Sequence, residues 1–163
     1  MKRVIFGFLI LIGLMFCVVP DAYSATAPEI VTAGDPDIIL AIAQKLGTAE
    51  LTTDRDGDPK ISGKLKGTAY SLLFYGCKEN KNCKDILFIT YWSGYTCSLE
   101  SVTKWSWERG KFAKATLDSD NDPCLKMAVN INKGVTVDNL RDTFVWWVAL
   151  VEDFEKKVLN AEK

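Results

Sequence analysis

The chain contains no histidine in 163 residues. That removes Ser–His–acid and Cys–His arrangements, histidine-ligated metal centres and the usual general base near neutral pH. G-x-S-x-G elbows and phosphate-cradling glycine loops are missing too. Neither sign of charge dominates: 20 Lys and Arg stand against 21 Asp and Glu, a formal net charge of −1. Without a basic stripe there is nothing to hold a phosphate backbone, so no nucleic acid partner is expected. Beyond one N-terminal run, no apolar stretch is long enough to cross a bilayer. No catalytic constellation emerges, so the chain is read as not an enzyme, with no cofactor and no catalytic or metal-ligating residue.

What is present begins with an address. Lys2 and Arg3 precede an apolar run over residues 4–19, Pro20 breaks it, and Ala22-Tyr-Ser24 places small residues at −3 and −1 of a cleavage site before Ala25. This is a Sec-type signal peptide over residues 1–24, and it predicts an exported protein, periplasmic or secreted. Phe16 before Cys17 is too bulky for lipoprotein processing. Cleavage leaves residues 25–163, enough for one domain with its own core, carrying 18 basic and 20 acidic residues. It also leaves Cys77, Cys83, Cys97 and Cys124, an even count that in an exported chain argues for two disulfides. Their gaps lack the C-x-x-C pairs that grip zinc.

Residues 25–34 read as a flexible leader and 35–163 as a single domain. Asp35-Pro36 offers an N-cap and a first-turn proline, and Ile38, Ile39, Ile42, Ala43 and Leu46 follow at helical spacing up to Gly47. Strands are expected over 49–53, 60–65, 68–75 and 83–92. The last two, if adjacent and antiparallel, bring Cys77 opposite Cys83 and leave Cys97 for Cys124. A second helix is expected over 98–109, strands over 112–118 and 124–131, and a final helix capped by Thr136. Val137, Leu140, Phe144, Trp147, Val151, Phe154 and Val158 give that helix a continuous apolar stripe. Val145, Trp146, Ala149 and Leu150 add a second apolar side. The reading is α+β, an antiparallel sheet with packed helices in the order α-β-β-β-β-α-β-β-α.

Two turns repeat the pattern D-x-D-x-D-P, Asp54 to Pro59 and Asp118 to Pro123. Calcium loops of the EF-hand type need glycine at position six and glutamate at position twelve. Here Pro59 and Pro123, then Leu65 and Val129, occupy those places. Turn chemistry explains the repeat, since Asp and Asn bond their own backbone. The five tryptophans, Trp92, Trp105, Trp107, Trp146 and Trp147, could stack on sugars, but at helical and strand spacing they read as core.

Leu117-Asp-Ser-Asp-Asn-Asp-Pro-Cys-Leu125, Val129-Asn-Ile-Asn-Lys-Gly-Val135 and Asn139-Leu-Arg-Asp-Thr-Phe-Val-Trp-Trp147, with Phe154-Glu-Lys156 behind them, resemble the YbjN-domain family. Leu51 to Pro59, Phe74 to Cys83 and Lys111 to Ala115 match as well. The likeness is to exported members and covers nearly the whole mature domain. In the second helix, Trp105-Ser-Trp107 stands where the family suggests Trp-Asn. The resemblance implies a fold similar to type III secretion chaperones, frequent dimerisation and no known catalytic residues. The expected function is therefore a non-enzymatic module that binds an unidentified protein or peptide, chaperone-like or regulatory, and forms a possible homodimer. Val145, Trp146 and Leu150 are the expected interaction surface. The alternative is a small-ligand binding protein, taking a sugar on the tryptophans or a weakly held metal ion in the acidic turns. The intact mass of chain recovered from the cell envelope should correspond to a start at Ala25, and a full-length mass would refute the cleavage.

Overall fold

The computed structural model describes residues 27–160, so the expected signal peptide and cleavage site lie outside the described residues. The elements are β1 (Ile30–Val31), α1 (Pro36–Gln44), β2 (Thr48–Thr53), β3 (Pro59–Leu65), β4 (Thr68–Tyr75), β5 (Asp85–Tyr91), α2 (Leu99–Glu108), β6 (Lys114–Leu117), β7 (Pro123–Asn130), β8 (Val135–Thr136) and α3 (Val137–Phe154), closed by a π-helical turn at Glu155–Leu159. Six strands form one antiparallel sheet in the order β2-β3-β4-β5-β7-β6. The α+β class and the antiparallel sheet are as the sequence leads one to expect.

Alternation along the strands decides which side is buried. Ile61 and Leu65 of β3, Tyr70, Leu72 and Phe74 of β4, Ile86 and Phe88 of β5, and Leu125 and Met127 of β7 share one cluster with buried residues of all three helices. The helices thus cover one face of the sheet. Phe88 meets Phe144 edge-on with centroids 4.8 Å apart and Trp147 at 5.5 Å. Phe154 lies 5.0 Å from both Trp92 and Trp105. The indole N–H groups are satisfied at the cluster's border: Trp92 Nε1 donates to Glu155 Oε1 at 3.0 Å and Trp105 Nε1 to Asp153 Oδ2 at 2.9 Å. Thr68 Oγ1 donates to the same Glu155 oxygen at 2.6 Å. These bonds fix the last turns of the chain against β4 and α2.

Caps form where expected on two helices: Ser98 Oγ accepts from Ser101 N–H and Thr136 Oγ1 from Asn139 N–H. At α1 the carboxylate does something else. Asp35 Oδ2 accepts from Thr32 N–H and Thr32 Oγ1, so it ties the helix to the preceding turn instead of capping it. The flexible leader is corrected in its described part. Ile30–Val31 pairs with Val135–Thr136, and Val31 and Ala33 are buried. Two apolar side chains at alternate positions in a small-residue stretch were enough to seat a short strand.

The Cys77–Cys83 disulfide closes the β4–β5 hairpin. The expected second bridge is corrected: no disulfide joins Cys97 and Cys124, although both are buried. The reason is strand phase. Cys124 pairs with Tyr91 and so points to the face opposite the helices, while Cys97 belongs to the helix-side cluster. Burial raises the Cys124 thiol pKa, and the Tyr91 hydroxyl is its hydrogen-bond partner.

Tyr70 is buried with no hydrogen-bond partner for its hydroxyl among the described residues, and desolvation raises its pKa to about 12. The folded chain therefore holds this proton after the unfolded chain has lost it. The associated stability is complete below the unfolded value near 10 and disappears as pH rises through about 12. Tyr70→Phe should shift stability at neutral pH by less than about 1 kcal/mol and should flatten the alkaline loss. Urea titrations at pH 7 and across that alkaline window would check both, and an unchanged alkaline loss would refute the assignment.

Candidate functional site

The apolar stripe of α3 is spent on the sheet: Leu140, Phe144, Trp147, Val151 and Phe154 are all buried. Of the expected interaction surface, Val145 is 52% exposed and Trp146 36%, whereas Leu150 is 6% exposed and part of the internal cluster. Leu150 is therefore covered within the chain. It lies one turn beyond Trp146, on the side that turns toward α2, and only Val145 and Trp146 remain as a surface.

Trp146 is held in three ways. Its Nε1 donates to Asp142 Oδ2 at 3.1 Å, one turn earlier on α3. The Phe112 ring meets it edge-on with centroids 5.7 Å apart, and Lys111 Nζ sits 4.6 Å from the ring centroid. Phe112, expected to open a strand, is 73% exposed. The chain enters left-handed backbone at Lys111 (φ 46°), and β6 starts only at Lys114. That bend turns Phe112 outward to meet Trp146, a contact that strand propensity alone could not reveal.

Trp146 stands between two grooves, each of about 410 Å³. One runs between the end of α2 and α3, with Arg109, Val145, Ala149 and Asp153 on its walls. Arg109 Nη1 contacts Asp153 Oδ1 at 3.4 Å there. The other runs between α3 and β7, walled by Asn139, Asp142 and Thr143 on one side and by the last residues of β7 on the other, with Phe112 at one end. Both are shallow, mixed apolar and polar surfaces built on rigid elements, suited to contact with a macromolecule more than to enclosing a small reactant.

The remaining tryptophans divide cleanly. Trp92, Trp105 and Trp147 are core, while Trp107 is 90% exposed. Leu99, Thr103 and Trp107 follow one another at one-turn intervals along the outer side of α2.

The two acidic turns are superposable in their bonding. Asp54 Oδ1 accepts from Asp56 and Asp58 N–H, and Asp118 Oδ1 accepts from Asp120 and Asp122 N–H. In each, the first residue's N–H donates to the fifth residue's carbonyl. Asp58 also takes Asn80 Nδ2, and Asp122 takes Gly94 N–H. These carboxylates serve backbone geometry. Among the described residues no cluster of three or more acidic or cysteine side chains is arranged to hold a metal ion.

Residues 35–160 match the family model YbjN, described as "Putative bacterial sensory transduction regulator". No curated protein and no solved structure matches the chain.

Because each acidic turn hangs on one carboxylate oxygen, Asp54→Ala or Asp118→Ala should cost about 1–2 kcal/mol by removing two backbone partners. Trp146→Ala, at the surface, should cost less than about 1 kcal/mol. Chemical denaturation with and without calcium would check the set. A turn variant as stable as wild type, or one whose deficit appears only with calcium, would refute the structural role.

Proposed function

Since this chain belongs to the YbjN family, with well over half of its length matched, we propose that it is an exported, non-enzymatic regulator that binds a protein or peptide through the surface around Trp146. The observation that carries this reading is the state of that ring. It is a large aromatic side chain exposed on a rigid helix, yet fixed by Asp142, Phe112 and Lys111. Such a side chain loses little freedom on binding and offers apolar area with a polar rim, which is how interface anchors work. The groups with shifted pKa values, Tyr70, Tyr91 and Cys124, line neither of the two grooves beside it. Export is supported by the N-terminal sequence and is compatible with the Cys77–Cys83 bridge.

Self-pairing is the second reading, and the exposed Leu99–Trp107 line of α2 favours it. The small-ligand reading has less support, because the aspartates of the acidic turns are occupied by the backbone and three of the five tryptophans are buried.

A photo-crosslinking amino acid at Val145, used in intact cells, should capture a discrete partner, and Trp146→Ala should abolish the product. Identical products with and without Trp146, or none, would overturn this reading. A product of twice the chain's own mass would assign the surface to self-pairing.

A further inference from the structure

The β6–β7 ladder stops halfway. β7 runs from Pro123 to Asn130, but β6 pairs only with residues 123–126. Phase shows which backbone groups this leaves. The Pro123 carbonyl accepts from Trp92 N–H, so it points to β5. In an antiparallel strand alternate residues bond to opposite neighbours, so Cys124, Lys126, Ala128 and Asn130 point to the β6 side. β6 confirms this independently. Ala115 N–H and C=O both bond to Ser106 Oγ, away from β7, which leaves Lys114 and Thr116 to pair with Lys126 and Cys124. Beyond Lys126, Ala128 and Asn130 direct their N–H and C=O groups to a place with no strand among the described residues.

At each border of the sheet a side chain meets one residue of the edge. Ser106 closes the outer side of β6 at Ala115, and on β2 Gln44 Nε2 takes the Ala49 carbonyl at 3.2 Å. Along the end of β7 the edge lies in the groove with α3 on one face. A second depression on the other face, lined by Tyr75, Asp85 and Leu87, reaches the same residues, Ala128, Val129 and Asn130. The edge is thus open from both faces. Among the described residues, the charged side chains lining the two depressions are Asp142 on one face and Asp85 on the other, with Lys111 held against the Trp146 ring at the border of the first. Apolar contacts flank both: Phe112 and Trp146 beside Asp142, Tyr75 and Leu87 beside Asp85.

We propose that the open edge of β7 takes up an extended basic peptide segment as an added strand, its backbone paired with Ala128 and Asn130 and its alternating side chains facing Asp142 and Trp146 on one face and, across Ala128 and Asn130, a long basic side chain extending toward Asp85 on the other. This rests on the reading of the Trp146 surface as a protein- or peptide-binding site and specifies the mode and charge of the ligand. The spacing suits it. Asp142 and Trp146 are one helical turn apart, about 6 Å along α3, against roughly 6.5–7 Å between same-face side chains of a strand. Main-chain pairing supplies affinity, and the two carboxylates with their aromatic neighbours supply selection for Lys or Arg beside an apolar residue. A second copy of this chain is the poorer occupant. It would bring the same acidic edge and its own α3 wall, and at a two-fold axis Asp142 would meet Asp142.

The test is selection of a random ten-residue peptide display library on the mature protein, followed by affinity measurement with synthetic peptides. Selected peptides should be enriched in Lys and Arg alternating with apolar residues. N-methylation of the peptide amides that face β7 should weaken binding at least tenfold. Ala128→Pro, which removes an outward N–H without touching the β5 pairing, should do the same, as should Asp142→Lys with Asp85→Lys. If Ala128→Pro unfolds by circular dichroism, the N-methylated peptides carry the test against the wild-type protein. A library without enrichment, or binders indifferent to backbone methylation, would overturn strand addition. So would sedimentation showing a wild-type dimer that Ala128→Pro dissociates, which would assign the edge to a second copy. A partner crosslinked from Val145 in cells while peptides fail would leave the binding reading standing and sink only this one.

Discussion

The packing of α3 across Phe88 is the contact on which the remainder depends. Phe144 and Trp147, one turn apart, seat on that single ring at the middle of the sheet, and Phe154 continues the line to Trp92 and Trp105. Burial of this row, of which truncating one ring to alanine would cost about 3–5 kcal/mol, sets the rotation of the helix. With that rotation fixed, Val145 and Trp146 have only the outside left to them. The surface proposed to bind partners is thus a consequence of core packing: the same run of apolar residues that closes the sheet presents its remainder to solvent.

The fold was legible because its signals were periodic and local. The apolar stripe of α3, continued by Val158 in the π-helical turn, the caps at Ser98 and Thr136, and the turn chemistry of Asp54 and Asp118 are all written in short windows, and each has the expected geometry. Apart from the Asp35 cap, where a local bond to Thr32 won, the misreadings came from features set by distant partners. Ile30 and Val31 form a strand because Val135 and Thr136 are there to pair with them. Cys97 and Cys124 have suitable sequence context for a bridge, but the alternation of β7 sends one of them through to the far face. Leu150 looks as exposed as Trp146 on a helical projection until α2 is in place.

The candidate site was half visible. Trp146 and Val145 could be named from an excess of apolar residues over what one helix face needs. Phe112 could not, because its outward turn depends on a left-handed residue at Lys111, for which the side chain gives no cue. The open end of β7 was equally hidden. Strand lengths of four and eight residues make a partial ladder only once their register is known.

The separation of Cys97 from Cys124 has a consequence for which of the chain's thiols can close on one another. Four thiols in an unfolded chain allow several wrong closures, and the short Cys77–Cys83 loop is the one favoured by proximity. Once the sheet assembles, it stands as a wall between the other two, and both are buried besides. The folded sheet thus separates one closure from the others by geometry alone.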